Sequence, residues 1–295
     1  MGILLGLTGA ISWGIADFAA RFAARRIGAY RTLFFMQCIG FLVLTAYLES
    51  SGGISRGVAP GWHPWALAAF AGVLNTISSL SLYYAFQIGV MSVVAPISSA
   101  YPALTVVLSL LSGEHIQPLR GTGLAVTLIG VVLAATSFAP PESKDESSVA
   151  TPSSRAHLTK GVGWAILSAI GFGVLFWFLG FHVVPVAGSG FSVWMIRLST
   201  FSTLALFAAP ARQTLRPPLG NIWWLLIAVG VMDTVAFVSN NAALHFGQVA
   251  VVSVLASLYG AVTVILSWIF LRERLDRTQW LGIVLIFTGI VLVSL

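Results

Sequence analysis

Apolar residues along this chain fall in long unbroken runs with short polar breaks, without the period-two alternation that lipid-facing barrel strands require. A helix needs about 20 such residues to cross the hydrocarbon core of a bilayer. By that measure the sequence predicts ten spans. The first five cover Ile3–Ala20, Leu33–Leu48, Trp65–Ile88, Met91–Leu111 and Leu119–Phe138. The second five cover Val162–Val183, Phe191–Ala209, Ile222–Leu244, Val249–Leu271 and Trp280–Leu295. Span 1 has neither a basic leader nor a small-residue cleavage site, so it reads as retained in the membrane. Between the two sets, Ala139–Lys160 is rich in proline, serine and charge and reads as a flexible linker.

The two sets resemble each other. Without a gap, Gly72, Thr76, Ser81, Ala85 and Gly89 fall on Gly230, Thr234, Ser239, Ala243 and Gly247, a constant shift of 158. At the same shift Ser99, Tyr101, Thr105 and Ser109 fall on Ser257, Tyr259, Thr263 and Ser267. A duplicated unit of five spans, an odd number, must enter the membrane in opposite directions in its two copies. The expected fold is therefore an all-α membrane protein of ten transmembrane helices in two inverted five-helix repeats, 1–138 and 161–295, joined by the 139–160 linker. Such folds place a binding site near the midplane and open it to each side in turn.

Composition narrows the function. Charged residues make up 8% of the chain and mean hydropathy is +0.94, against roughly 25% charged in soluble domains. The net charge of +6 does not point to nucleic acid, because the cations punctuate apolar segments instead of forming a stripe with aromatics. Cys38 is the single cysteine, and the five histidines show no metal-ligand spacing. No phosphate-binding glycine loop or nucleophile elbow occurs, so neither cofactor, metal nor enzymatic activity is expected. Twelve of the lysines and arginines fall in loops after odd-numbered spans, while Arg56 and Arg120 alone fall on the other side. The positive-inside rule then puts odd loops and linker in the cytoplasm and both termini outside.

Ionisable groups within spans are costly, about 2.5–3.5 kcal/mol on insertion scales, and are functional candidates for that reason. Asp233, in mid-span 8, shares a helical face with Phe237, Asn240 and Asn241, and its repeat mate is Asn75 in span 3. The pair reads either as a substrate or proton site, or as a structural hydrogen-bonding pair that ties helices together. Arg197 in span 7 needs an anion, either Asp233 or a substrate carboxylate; a permanent bridge would take Asp233 out of proton traffic. Asp17, near the end of span 1, is four residues before Arg21 and reads as a solvated helix end or as a coupling carboxylate. Trp13, Tyr101 and Tyr259 are aromatic candidates for the substrate cavity, the tyrosines because they are repeat mates deep in spans 4 and 9. Pro96 and Pro102 predict unwinding in span 4, whereas Val254 and Gly260 occupy those places in span 9.

Several motifs carry a resemblance. Ser12-Trp13-Gly14 in span 1, the Gly89-to-Pro96 turn into span 4, Gly113-Glu114 and Leu271-Arg272-Glu273 closing spans 4 and 9, and Gly123 and Gly282 opening spans 5 and 10 occur in order. With the 5+5 plan they resemble the EamA family of the drug/metabolite transporter superfamily, over nearly the whole chain. The resemblance implies a secondary transporter, most often an exporter of amino acids, amines or other small metabolites, and relatives usually drawn with both ends in the cytoplasm. Small multidrug resistance relatives carry an essential glutamate early in span 1; matching Gly9-Ala10-Ile11 puts it on Gly14, with Asp17 on roughly the same face. The expectation is a multi-pass plasma-membrane protein (the bacterial inner membrane), monomeric or homodimeric, that moves a small molecule through the lipid bilayer by alternating access. A proton gradient or exchange would drive it. The alternative is a component of a lipid-linked sugar flippase or a non-catalytic membrane scaffold.

Overall fold

A computed structural model describes residues 1–53, 61–135, 160–272 and 277–294. Most of the predicted linker, with Lys144 and Arg155, lies outside the described residues, as do Arg56, Glu273, Arg274 and Leu295. The described residues form helices and no strands. Spans 1 to 3 are α1 (Gly2–Ile27), α2 (Ala29–Ser50) and α3 (His63–Ile88), and span 4 is split into α4 (Met91–Ser98) and α5 (Pro102–Leu111). Span 5 is α6 (Pro118–Ala135). Span 6 is α7 (Val162–Phe178), a π-helical turn over Leu179–Val183 and α8 (Val184–Ala187); span 7 is α9 (Ser189–Phe207) and span 8 is α10 (Ile222–Ala243). Span 9 is split into α11 (Val249–Ala256) and α12 (Tyr259–Leu271), and span 10 is α13 (Arg277–Ser294). Eight of these stretches are long and apolar enough to cross a membrane. Spans 5 and 10, of 18 residues each, pack against one another.

Span 1 outruns its apolar run because its cationic end has partners inside the protein. Arg25 donates to the carbonyls of Gly89 (2.7 Å) and Phe86 (3.3 Å), so its positive charge caps the C-terminus of α3, where free carbonyls concentrate negative potential. Gly28 then takes φ +86°, a left-handed turn open to glycine, and α2 begins at once. At the other end of the molecule Glu114, the residue of the Gly-Glu motif, caps α11: its carboxylate accepts the N–H groups of Val249 (2.6 Å) and Ala250 (3.1 Å). The span 4–5 turn is thereby fastened to the start of span 9.

Span 1 packs on span 8, span 3 on span 6, span 2 on span 7 and span 4 on span 9. Small residues let backbones meet: a Cβ on Gly230 would lie 2.9 Å from the Met36 carbonyl, and one on Gly130 would lie 2.7 Å from that of Gly282. Both span 4 and span 9 break at mid-depth, although only span 4 has the prolines. In each, N–H groups turn back three residues rather than four, from Ala100 to Ile97 and from Gly260 to Ser257. The break in span 9 tracks the crossing instead, where Gly260 has no room for a Cβ against Ser99 and the Ala95 carbonyl.

Candidate functional site

A small cavity of about 30 Å³ lies at the centre of the bundle, room for about two water molecules. Span 1 contributes Trp13 and Asp17, span 2 Met36, and span 3 Ser79, Leu82 and Tyr83. Phe172 and Phe176 from span 6, Asp233 and Phe237 from span 8 and Tyr259 from span 9 complete it. These side chains come together because each lies on the inward face of its span. The rings interlock edge to face, with Trp13 5.2 Å from Phe237 and 5.4 Å from Phe176 between centroids.

The two cavity carboxylates have different surroundings. Asp233 is fully engaged: Arg197 Nη2 donates to Oδ2 at 2.8 Å and Trp13 Nε1 donates to Oδ1 at 3.0 Å. Arg197, 2% exposed, also donates through Nη1 to Gln37 Oε1 at 2.8 Å and lies 5.9 Å from the Phe237 ring centre. The guanidinium sits behind Asp233, outside the cavity wall, and neutralises it. Asp17, only 6% exposed, faces the cavity with no hydrogen bond or salt bridge to any described residue. It stands within electrostatic reach of Asp233, and of the two cavity carboxylates only Asp233 has a guanidinium partner, at 2.8 Å. The reading of Asp17 as a solvated helix end does not hold, because α1 continues to Ile27 and buries it.

Four of the sequence candidates, Trp13, Asp17, Asp233 and Tyr259, line this cavity. Asn75 is turned toward span 7, donating to Thr200 Oγ1 at 3.1 Å and accepting from Ser79 at 3.4 Å. Asn240 is buried with its side-chain oxygen unpartnered among the described residues, beside Gly9 of span 1. Tyr101 and Tyr259 stack with centroids 6.4 Å apart and planes at 13°. Tyr101 donates to the Ser253 carbonyl (3.0 Å) and Tyr259 to Ser98 Oγ (3.2 Å), so each binds the other broken span.

The model of the EamA-like transporter family matches residues 1–136 and again 159–295. The chain belongs to the EamA-like transporter family. Members of this family are membrane transporters of the drug/metabolite type rather than enzymes. A bilayer and a small-molecule substrate follow from that membership. This EamA-like chain is also 30% identical, over 132 residues, to an uncharacterised protein of Methanocaldococcus jannaschii; the match covers 44% of this chain and 93% of the relative. A protein known from its crystal structure superimposes with a TM-score of 0.72 at 19% identity, covering 99% of this chain and 97% of the other, which shows a shared fold.

Sequence reasoning missed Gln37, Met36, Ser79, Phe172 and Phe176. Gln37 had a signal, a lone amide in the middle of an apolar span, but a search for ionisable groups passes over it. The phenylalanines had none, since span 6 is apolar on every face.

Proposed function

We propose that this EamA-like chain is a proton-coupled secondary transporter working by alternating access, with the aromatic cavity as its binding site and Asp17 as the group that carries the proton. One observation carries the reading: Asp17 is a buried carboxylate facing the cavity with no partner among the described residues, whereas Asp233 is held by Arg197 and Trp13. An unpaired charge in a buried site is unfavourable enough to be neutralised by whichever cation reaches it first. Asp233 then serves as a positioning residue that fixes the Trp13 ring.

Two inverted repeats, 1–138 and 161–295, account for the packing. Exchanging the halves turns the contact of span 1 with span 8 into that of span 6 with span 3, and both contacts are present. The repeat mates Gly72 and Gly230 each admit a helix of the matching kind, span 7 and span 2. A relative about half as long, matched along most of its length, supports a five-span unit as the ancestral piece. The cation distribution supports odd loops in the cytoplasm of a bacterial inner membrane, and export fits that orientation. A flippase's anion patch would have rested on Arg197, which is already bound to Asp233 and Gln37.

The test is transport of a cell-extract metabolite pool by the full chain in liposomes, driven by a pH gradient and read by mass spectrometry of the lumen. Asp17→Asn should abolish gradient-driven accumulation while leaving the protein monodisperse. Full retention would remove Asp17 as the coupling group.

A further inference from the structure

The cavity is off-centre with respect to the sequence repeat. Span 6 follows span 1 at a shift of 159, Gly9-Ala10-Ile11 falling on Ser168-Ala169-Ile170, and contacts recur in that register. Thr263 of span 9 donates to the Gly14 carbonyl of span 1 at 3.3 Å, and its mate Thr105 donates to the carbonyl of Gly173, the mate of Gly14, at 2.9 Å. Trp13 lies 6.4 Å from Tyr259, and their mates Phe172 and Tyr101 lie 6.4 Å apart, edge to face in both cases. The cavity lining departs from this match. Leu82 and Tyr83 of span 3 line it, whereas their mates in span 8, Asn240 and Asn241, do not.

Resting on the inverted-repeat, alternating-access reading, we infer that Asn240 and Asn241 form a second substrate subsite, which joins the cavity when it opens to the opposite side and holds a polar solute by its N–H or O–H donors. Exchanging two inverted copies converts an off-centre cavity into its counterpart facing the other way. Under that exchange Asn240 and Asn241 take the places of Leu82 and Tyr83, and Tyr101 that of Tyr259. The two ends of the route are far apart in depth. Leu82 lies six residues before the end of α3, which leads into the loop after span 3, and Asn240 lies three residues before the end of α10, which leads into the loop after span 8.

An independent observation comes from the amides themselves. Asn240 and Asn241 are 1% and 0% exposed, and the Oδ1 atom of each has no hydrogen-bond partner among the described residues. Asn241 spends its amide nitrogen on Ser192 Oγ at 3.0 Å, and Asn240 packs beside Gly9 of span 1. A buried acceptor without a donor is unfavourable. Two such atoms on adjacent residues, at the positions whose mates touch the cavity, become satisfied once the cavity and its solute reach them. Acceptor oxygens call for donors, so the solute presents N–H or O–H groups to this end of the route.

The first probe is a membrane-impermeant methanethiosulfonate, applied to the full-length chain in sealed vesicles of each orientation, with Cys38 replaced by serine. Leu82→Cys should react only from the side of the loops that follow odd-numbered spans, and Asn240→Cys and Asn241→Cys only from the other side. Size-exclusion profiles check that each variant is folded. If the two asparagine positions react from neither side, or from the same side as Leu82→Cys, the subsite is overturned.

Binding is read separately, with the cell-extract metabolite pool in liposomes under a pH gradient. Asn240→Leu, which copies the mate, should lower the accumulation rate about tenfold, as expected for one lost hydrogen bond to the solute, and Asn240→Gln should recover part of it. Because Asn240→Leu removes an unsatisfied buried acceptor, its melting temperature should not fall, which separates lost binding from lost folding. Unchanged rates in both Asn240→Leu and Asn241→Leu overturn the binding role. Opposite-sided labelling of a chain that accumulates nothing upholds the shift of the cavity and overturns the transporter reading; accumulation with same-sided labelling does the reverse.

Discussion

The Arg197–Asp233 pair offers the sharpest test of how this bundle is held together. Both side chains are buried, joined at 2.8 Å, and each has one further partner, Gln37 for the guanidinium and Trp13 for the carboxylate. Interhelical hydrogen bonds in membranes average only about 0.6 kcal/mol. Removing one member of a buried ion pair costs about 3–5 kcal/mol, because the other charge is left uncompensated, whereas removing both is often neutral. The structure favours the larger figure, since both groups are buried. Arg197→Met should lose about 3 kcal/mol. Asp233→Asn should lose at least as much, even though its amide oxygen can keep the Trp13 bond. The double variant Arg197→Met/Asp233→Asn should return to within about 1 kcal/mol of the wild type. Unfolding in mixed detergent–lipid micelles at increasing SDS, followed by tryptophan fluorescence, measures all four proteins. If the two single losses simply add in the double variant, the pair contributes no coupling and the account given for Arg197 fails.

Other outcomes follow from the packing. Glu114→Gln keeps the shape but removes the negative charge at the start of α11, and should lower stability by roughly 0.5–1 kcal/mol in the same SDS titration; no change would show the cap to be energetically idle. Gly230→Leu should collapse yield and monodispersity, since a Cβ there already lies 2.9 Å from the Met36 carbonyl. Gly163→Ala, where nothing lies within 4 Å, should be neutral or stabilising by up to about 1 kcal/mol; equal behaviour of the two would refute the close-packing argument. A reporter fused after Leu295 should read as external, and an internal signal would overturn the orientation drawn from the cation count.

Much of this architecture was legible because the bilayer imposes a length and polarity that a linear sequence cannot hide. Apolar runs gave the spans, and the need of Arg197 for an anion left Asp233 or a substrate carboxylate, of which the structure shows Asp233. Helical periodicity was less informative about neighbours. It placed Asp233 and Phe237 on one face, and both line the cavity, but a face does not say which helix it meets, and Asn75 meets Thr200 of span 7 rather than the cavity. Asp17 was ambiguous for a related reason. Its proximity to Arg21 in sequence resembles a solvated end, but α1 runs on to Ile27, with Arg25 docked on α3, and Asp17 lies inside among spans 3, 8 and 9. The break in span 9 left no proline to read; it arises from a crossing with span 4 that exists only in three dimensions.

That crossing has a mechanical consequence. Spans 4 and 9 bend at the same depth, and there Tyr101 and Tyr259 lie face to face, each hydroxyl fastened to the opposite rod. Two bent rods that meet back to back at their bends behave as a clothes peg: parting the arms above the pivot brings the arms below it together. For the alternating access proposed above, closure on one side would then accompany opening on the other through leverage alone, with no signal to relay between them.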